Sequence, residues 1–284
     1  MISSTRYRAQ SEINQQTTLA KQIAQLQDSV STGKRLSAAS DDPAAAARIS
    51  EIRQDQADQV VWTNNASTGS TIASAVDTSL SSVSDLLDRA KELVLSGRND
   101  TTSDTDRTAI TQELQSIVTS LNSAQTASDP TGAPLYPTGT PLQIPVSDTL
   151  SLPATASRDS VFGSVTTANG TQSMQDIINN AITAINGNSA TRATDIQTSL
   201  DALDAASAHI TQVRSDQGVR EQRFTAATDA LNDSATNLTT ERSGLEDTDL
   251  TYALSEFQSK QTSLQAAQTL FAQTNKSTLF DLIG

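Results

Sequence analysis

The sequence predicts a mainly α fold: an elongated antiparallel helical bundle or coiled-coil rod formed by N- and C-terminal arms, with a small β-rich insert between them. Three observations carry this expectation. Aromatic residues make up 3% of the 284, and Leu, Ile and Val are diluted among Ala, Ser, Thr, Gln and Asp, which is a composition of slender helices and not of a thick globule. Six of the seven prolines fall within 130–153, so 44–129 and 154–284 hold no helix breaker of that kind. Apolar residues recur in both arms at the 3-4 and 7 spacings of packed helices.

In the first arm Leu19, Ile23, Leu26 and Val30 form a seam at spacings of 4, 3 and 4. A polar connector, STGKRLSAAS, follows and ends at Asp42-Pro43. A proline holds the residue before it out of the α region, which frees the Asp42 carboxylate to cap the first-turn N–H groups. Pro43 then occupies the first helical position, where its missing N–H costs nothing. The next stripe is Ile72, Val76, Leu80, Val83, Leu87, Ala90 and Val94, ending near Gly97, and Ile110, Leu114, Ile117 and Leu121 mark a third helix.

Between the arms, Leu142, Ile144 and Val146, then Leu150 and Leu152, then Val161, Phe162 and Val165, suit short strands. In the second arm Ile196, Leu203, Ile210, Gln217, Phe224, Leu231, Leu238 and Leu245 stand seven apart, with Gln217 as the one polar interruption. GLEDTDL breaks that register at 244–250, and a new seam begins with Leu250, Leu254, Phe257, Leu264 and Phe271, running into the apolar end that holds Leu279 and Phe280. The expected division is terminal assembly helices at 1–42 and 250–284, a helical rod at 43–129 and 171–249, and the insert at 130–170.

The net charge of −13 is uneven: residues 1–40 carry +3, residues 250–284 carry 0, and 41–249 carry −16. So acidic a body, without a basic stripe, excludes nucleic acid as a partner. The nearly neutral ends read as surfaces to be covered. Their large apolar side chains are too sparse to offset the cost of ordering the backbone, so they are expected to fold by packing on other subunits. No run approaches a membrane span, and the polar start MISSTRYRAQ lacks the apolar stretch of a cleavable signal peptide.

Chemistry is thinly supplied. There is no cysteine and a single histidine, His209, which reads as a polar helix-face residue. Gly33-Lys34 lacks the rest of a phosphate loop, with Asp28 where glycine is needed and Arg35 where a hydroxyl would hold magnesium. Glu246, Asp247 and Asp249 lack the alternation of a calcium loop and read as a solvated helix boundary. The pairs Asp41/Asp42 and Asp104/Asp106 have no convergent partner and read as caps and turns. No cofactor, metal or catalytic set is expected.

Six segments together resemble the flagellin superfamily: SVSTGKRLSAASDDPAAAARI (29–49), LLDRAKELVLSG (86–97), DRTAITQEL (106–114), DSVFGS (159–164), NLTTERSGLEDTDLTYALSEF (237–257) and the ending TLFDLIG (278–284). Within that superfamily the chain looks most like the branch of hook-associated protein 3, the hook–filament junction proteins. SDDP followed by alanines, where filament flagellins usually continue DDAAG, and LFD at the apolar end carry the distinction. The branch's aromatic segment after the third helix is replaced here by ASDPTGAPLYP, with only Tyr136.

The resemblance implies terminal helices paired in an inner tube layer, with Leu19, Ile23, Leu26, Val30, Leu250, Leu254, Phe257, Leu264, Phe271, Leu279 and Phe280 at the assembly interface and Asp42-Pro43 at its boundary. It implies export through the flagellar type III apparatus without a cleavable signal and a place outside the cell at the hook–filament junction. Implied partners are hook-associated protein 1, flagellin, further copies in a ring and an export chaperone, with no membrane and no enzymatic role. A filament-forming flagellin is the alternative. Some flagellin relatives carry a metallopeptidase in the insert, but this insert has neither HExxH nor any histidine.

Overall fold

Ser and Thr weaken helices when their hydroxyls compete with the backbone, yet this chain uses them throughout its helices. The competition is defused locally. Thr68, Thr71, Thr78 and Ser82 in one long helix, and Thr225, Thr228, Thr239 and Thr240 in another, each return the hydroxyl to the carbonyl four residues back. The computed structural model describes residues 2–99, 103–129, 132–187 and 190–280, the side chains of 2–6 and 274–280 excepted.

In chain order the elements are α1 (Ile2–Thr32), α2 (Pro43–Gly97), α3 (Asp104–Gln125), β1 (Gln143–Pro145), β2 (Ser151–Pro153), a π-helical turn (Asp159–Gly163), β3 (Val165–Thr167), β4 (Gly170–Gln172), α4 (Met174–Asn186), α5 (Arg192–Glu246) and α6 (Leu250–Phe280). Among the described residues helices dominate and the strands form two antiparallel two-stranded sheets, in keeping with the predicted class. The chain divides into two compact units, one of residues 1–57 with 234–284 and the other of 58–233.

Helix starts repeat one device. Asp42 Oδ1 accepts the Ala45 N–H at 3.0 Å ahead of Pro43, as the sequence predicts. Ser103 opens α3 by accepting from the Asp106 N–H at 3.1 Å and donating its hydroxyl to the Asp106 carboxylate. Ser173 and Asp176 do the same at α4. Asp249 Oδ1 accepts the N–H groups of Thr251 and Tyr252 at the start of α6.

In the 58–233 unit, every member of the α2 stripe from Ile72 to Val94 is buried, with Leu114, Ile117 and Leu121 of α3 and the α5 heptad residues Ile196, Leu203, Ile210, Phe224 and Leu231. α2 and α5 run antiparallel, marked by ion pairs of Lys91 with Asp204 and of Arg214 with Asp77. They approach so closely at Gly69 that a Cβ there would lie 2.3 Å from the Phe224 ring. Glycine is required at that point to admit the phenyl group. Trp62, the chain's only tryptophan, packs half-buried against the same core.

The insert shares that core. Ile144 of β1 faces Leu152 of β2 across the sheet, and both are buried with Val146, while Leu142 and Leu150 are exposed. The strand expectation fails at Val161 and Phe162, which lie in the π-helical turn and are both buried. Two adjacent inward apolar residues cannot share a face of a strand, where side chains alternate, but they can on a helical turn. Val165 begins β3, paired with β4 so that Val165 faces Gln172.

Tyr136 holds the insert down. It is fully buried, meets Phe162 edge to face with ring centroids 5.0 Å apart, and donates its hydroxyl to the Val76 carbonyl of α2 at 3.4 Å. Burial pushes its phenol up to about 12. Asn65 of α2 donates to the Pro145 carbonyl at 3.0 Å, and His209 of α5 is 3.0 Å from the Ser160 carbonyl oxygen, a polar helix-face role.

Candidate assembly surface

In the other unit, α1 packs along α6. The predicted α1 seam, Leu19, Ile23, Leu26 and Val30, is half-buried throughout, as are Phe257, Leu264 and Phe271 of α6. Polar side chains cross the pair: Gln16 Nε2 donates to the Ala267 carbonyl at 3.5 Å and Lys260 Nζ to Gln22 Oε1 at 3.0 Å. None of these seam residues is fully buried, so the pair leaves apolar surface uncovered.

Two of the residues expected at the assembly interface face outward. Leu250 and Leu254 are 52% and 48% exposed, and Ala253 turns inward in their place. The inward row of α6 is therefore Ala253, Phe257, Leu264 and Phe271, at spacings of 4, 7 and 7, with Leu250 and Leu254 one above the other on an outward face. Tyr252 at 67% and Leu270 at 66% exposure add to the apolar surface of α6, and Tyr7 at 81% to that of α1. The side chains of Leu279 and Phe280 lie outside the described residues.

The connector STGKRLS and the segment GLEDTDL, far apart in sequence, meet at the base of this helix pair. Gly33 ends α1 with φ +71°, a left-handed conformation that glycine adopts without steric cost. Its carbonyl accepts the Thr248 N–H at 2.9 Å, and the Arg35 N–H donates to the Glu246 carbonyl at 2.8 Å. Glu246 itself, expected at a solvated boundary, is buried to 8% exposure.

It is affordable there because three cations surround it. Lys34 bonds Oε1, Arg53 reaches the same oxygen at 3.2 Å, and Arg242 stands 3.8 Å from Oε2. The Lys34 hydrogen bond holds the Glu246 carboxyl below the usual glutamate range, against the opposing pull of burial, with the charges of Lys34, Arg53 and Arg242 adding to it. Lys34, the residue that resembled a phosphate ligand, is thus committed to a carboxylate. Asp41 pins the rest of the connector, accepting from the Ser37 and Ala38 N–H groups and the Ser37 hydroxyl; these bonds, led by that of Ala38, lower its pKa.

Sequence reasoning missed the work of Gln217. It is fully buried, its Nε2 donates to the Ala73 carbonyl of α2 at 3.1 Å and the Ala154 carbonyl of the insert at 3.0 Å, and its Oε1 accepts from Arg220. A polar residue at a heptad core position was the available signal, because such a group is retained only where partners meet it. Among the described residues no cluster of three or more His, Asp or Glu side chains stands close enough to hold a metal, and no helix is long and apolar enough to cross a membrane.

The N-terminal helical region of bacterial flagellin matches residues 4–129, and the C-terminal helical region matches 200–283. Curated flagellins of Salmonella rubislaw and Salmonella typhimurium are each 36% identical to the chain over 84 residues, 30% of this chain and 17% of theirs. The match therefore spans about a sixth of the length of those relatives.

Among solved structures, a Vibrio parahaemolyticus chain assigned as a flagellar hook-associated protein superposes with a TM-score of 0.66 at 20% identity, over 73% of this chain and 100% of that one. Flagellar hook-associated protein 3 of Legionella pneumophila gives 0.62 at 16% identity, over 69% and 98%. The flagellar junction protein FlgL of the same organism gives 0.55 at 16%, over 70% and 100%. At these identities the likeness is one of fold.

Proposed function

The chain belongs to the bacterial flagellin family, and from that premise we propose that it is a structural adaptor of the flagellum, joining the hook-side junction protein to the flagellin filament. The observation that carries this reading is the pairing of the two family-matched ends as α1 and α6, with apolar side chains left uncovered along both. A surface of that kind is completed by neighbours in an assembly.

The junction role, and not merely a flagellar one, draws support from SDDPAAAA at 40–47, from the LFD ending, and from a fold shared over nearly the full length of chains named as hook-associated and junction proteins. On this reading 1–42 and 250–284 form the inner assembly layer. Hook-associated protein 1, flagellin, further copies of the chain in a ring and an export chaperone are its partners. The chain is exported through the flagellar type III apparatus without a cleavable signal, lies outside the cell in the flagellum, and catalyses no reaction.

Deletion of the gene tests the role. Loss of filaments with flagellin released into the medium is expected; filaments that stay attached would refute the adaptor assignment. The alternative, a filament subunit, is favoured by the sequence likeness to Salmonella flagellins. Polymerisation of the purified chain separates the two, since long filaments from this protein alone would establish the subunit reading.

A further inference from the structure

The 58–233 unit carries twenty acidic and nine basic residues, a net charge of −11. Most of its cations are engaged: Arg89, Lys91, Arg107 and Arg214 in ion pairs, and Arg98, Arg192 and Arg220 in hydrogen bonds. Arg158 is different. It is half-buried, its backbone N–H is bonded to the Pro137 carbonyl, and its guanidinium makes no hydrogen bond or ion pair with the described residues, with Nε sealed from solvent and unsatisfied.

Arg158 lines a groove of about 210 Å3 with Gln125, Thr138, Asp159, Ser173 and Gln175. The adjacent carboxylate does not neutralise it. Asp159 leans over the π-helical turn, where Gly163 leaves room for it, since a Cβ on Gly163 would lie 2.4 Å from Asp159 Oδ1. The other carboxylate oxygen lies 3.5 Å from the Ser164 hydroxyl. A guanidinium left half-buried without an acceptor is costly, and the cost is recovered when a planar carboxylate meets its fork of donors.

We propose that this groove seats the carboxylate of an acidic side chain from a second copy of the chain. Two bodies of charge −11 repel each other, and a free cation that meets a carboxylate offsets that repulsion where they touch. Among the described residues, Arg158 and the exposed Arg223 are the cations of this unit without such a bond, and Arg158 lines a groove. Exposed carboxylates free of ion pairs, such as Asp85, Asp229 and Asp233, are in ample supply on the same unit. The inference rests on the reading of the protein as a self-associating flagellar component and adds to it a second contact, carried by the 58–233 unit.

A photo-crosslinking residue placed at Gln175 of the full chain, in cells assembling flagella, tests it. The expected product is an adduct between two copies, mapping to a peptide that contains Asp or Glu. Arg158→Gln, secreted at the normal level, should lower its yield about tenfold, as loss of a charge-assisted contact implies, and Arg158→Lys should keep more of it. An adduct with a different protein, no adduct, or equal yields from the wild type and Arg158→Gln would overturn the proposal. So would saturable binding of acetate at Arg158 in the isolated chain without any copy-to-copy adduct. The deletion phenotype reads the adaptor role separately, so a failure there is distinguishable from a failure here.

Discussion

Glu246 and Gln217 show what single residues contribute when their partners are distant in sequence. Glu246 has a folded pKa below its ordinary value of 4.5, so its contribution to stability is complete above 4.5 and is lost as pH falls from there toward the lower folded value. Urea unfolding of the full chain should show Glu246→Gln less stable than the wild type by about 1–2 kcal/mol at pH 7, with the difference closing below pH 4.5. Gln217→Leu should give the opposite of what heptad repair promises. It removes the side-chain donor to the Ala154 carbonyl, so a loss of about 1–3 kcal/mol is expected in the same measurement. Neither role was legible in the sequence, which showed an acidic boundary and a polar interruption but not the cations or carbonyls that answer them.

The helices were the legible elements, because their apolar stripes repeat over many turns and an error at one position does not change the period. Asp42-Pro43 was read correctly for a related reason: a cap is a local device, complete within four residues. Asp42→Ala should therefore cost about 1 kcal/mol, seen as a lower unfolding midpoint with unchanged helix content at low temperature. The insert was less legible, since an apolar pair such as Val161-Phe162 signals burial without fixing conformation. The Gly69 crossing was equally hidden, because a glycine within a helix declares its purpose only once its neighbour is known. Gly69→Ala gains helix propensity yet meets the Phe224 ring, so a net loss of about 1–3 kcal/mol is expected. Phe224→Leu in the same chain should recover part of it, which a double-mutant cycle would measure.

At the scale of the whole molecule, the two units differ in how their apolar side chains are used. Those of 58–233 are largely buried within the chain, whereas the large ones described on α1 and α6 are half-covered or exposed. Amide hydrogens of α1 and α6 should exchange rapidly in the isolated monomer while those of α2, α3 and α5 between 58 and 233 are protected; strong protection of both ends at low concentration would contradict this. Leu264→Asp should leave the 58–233 unit folded, by its protected amides, and abolish motility. A motile Leu264→Asp strain would remove Leu264 from the assembly seam. The pairing of the ends was legible as two matched seams, but the rotation of α6 that turns Ala253 inward and Leu254 outward was not, because it is set by the Asp249 cap and the 246–250 turn.

Trp62 gives the chain a built-in optical probe. As the only indole, packed half-buried against the 58–233 core, it makes emission excited beyond the tyrosine absorption band a signal from that core alone. Loosening of α1 and α6 should pass unseen in tryptophan fluorescence and register fully in far-ultraviolet circular dichroism. The separation between the two melting curves then measures, without any label, how independently the ends let go.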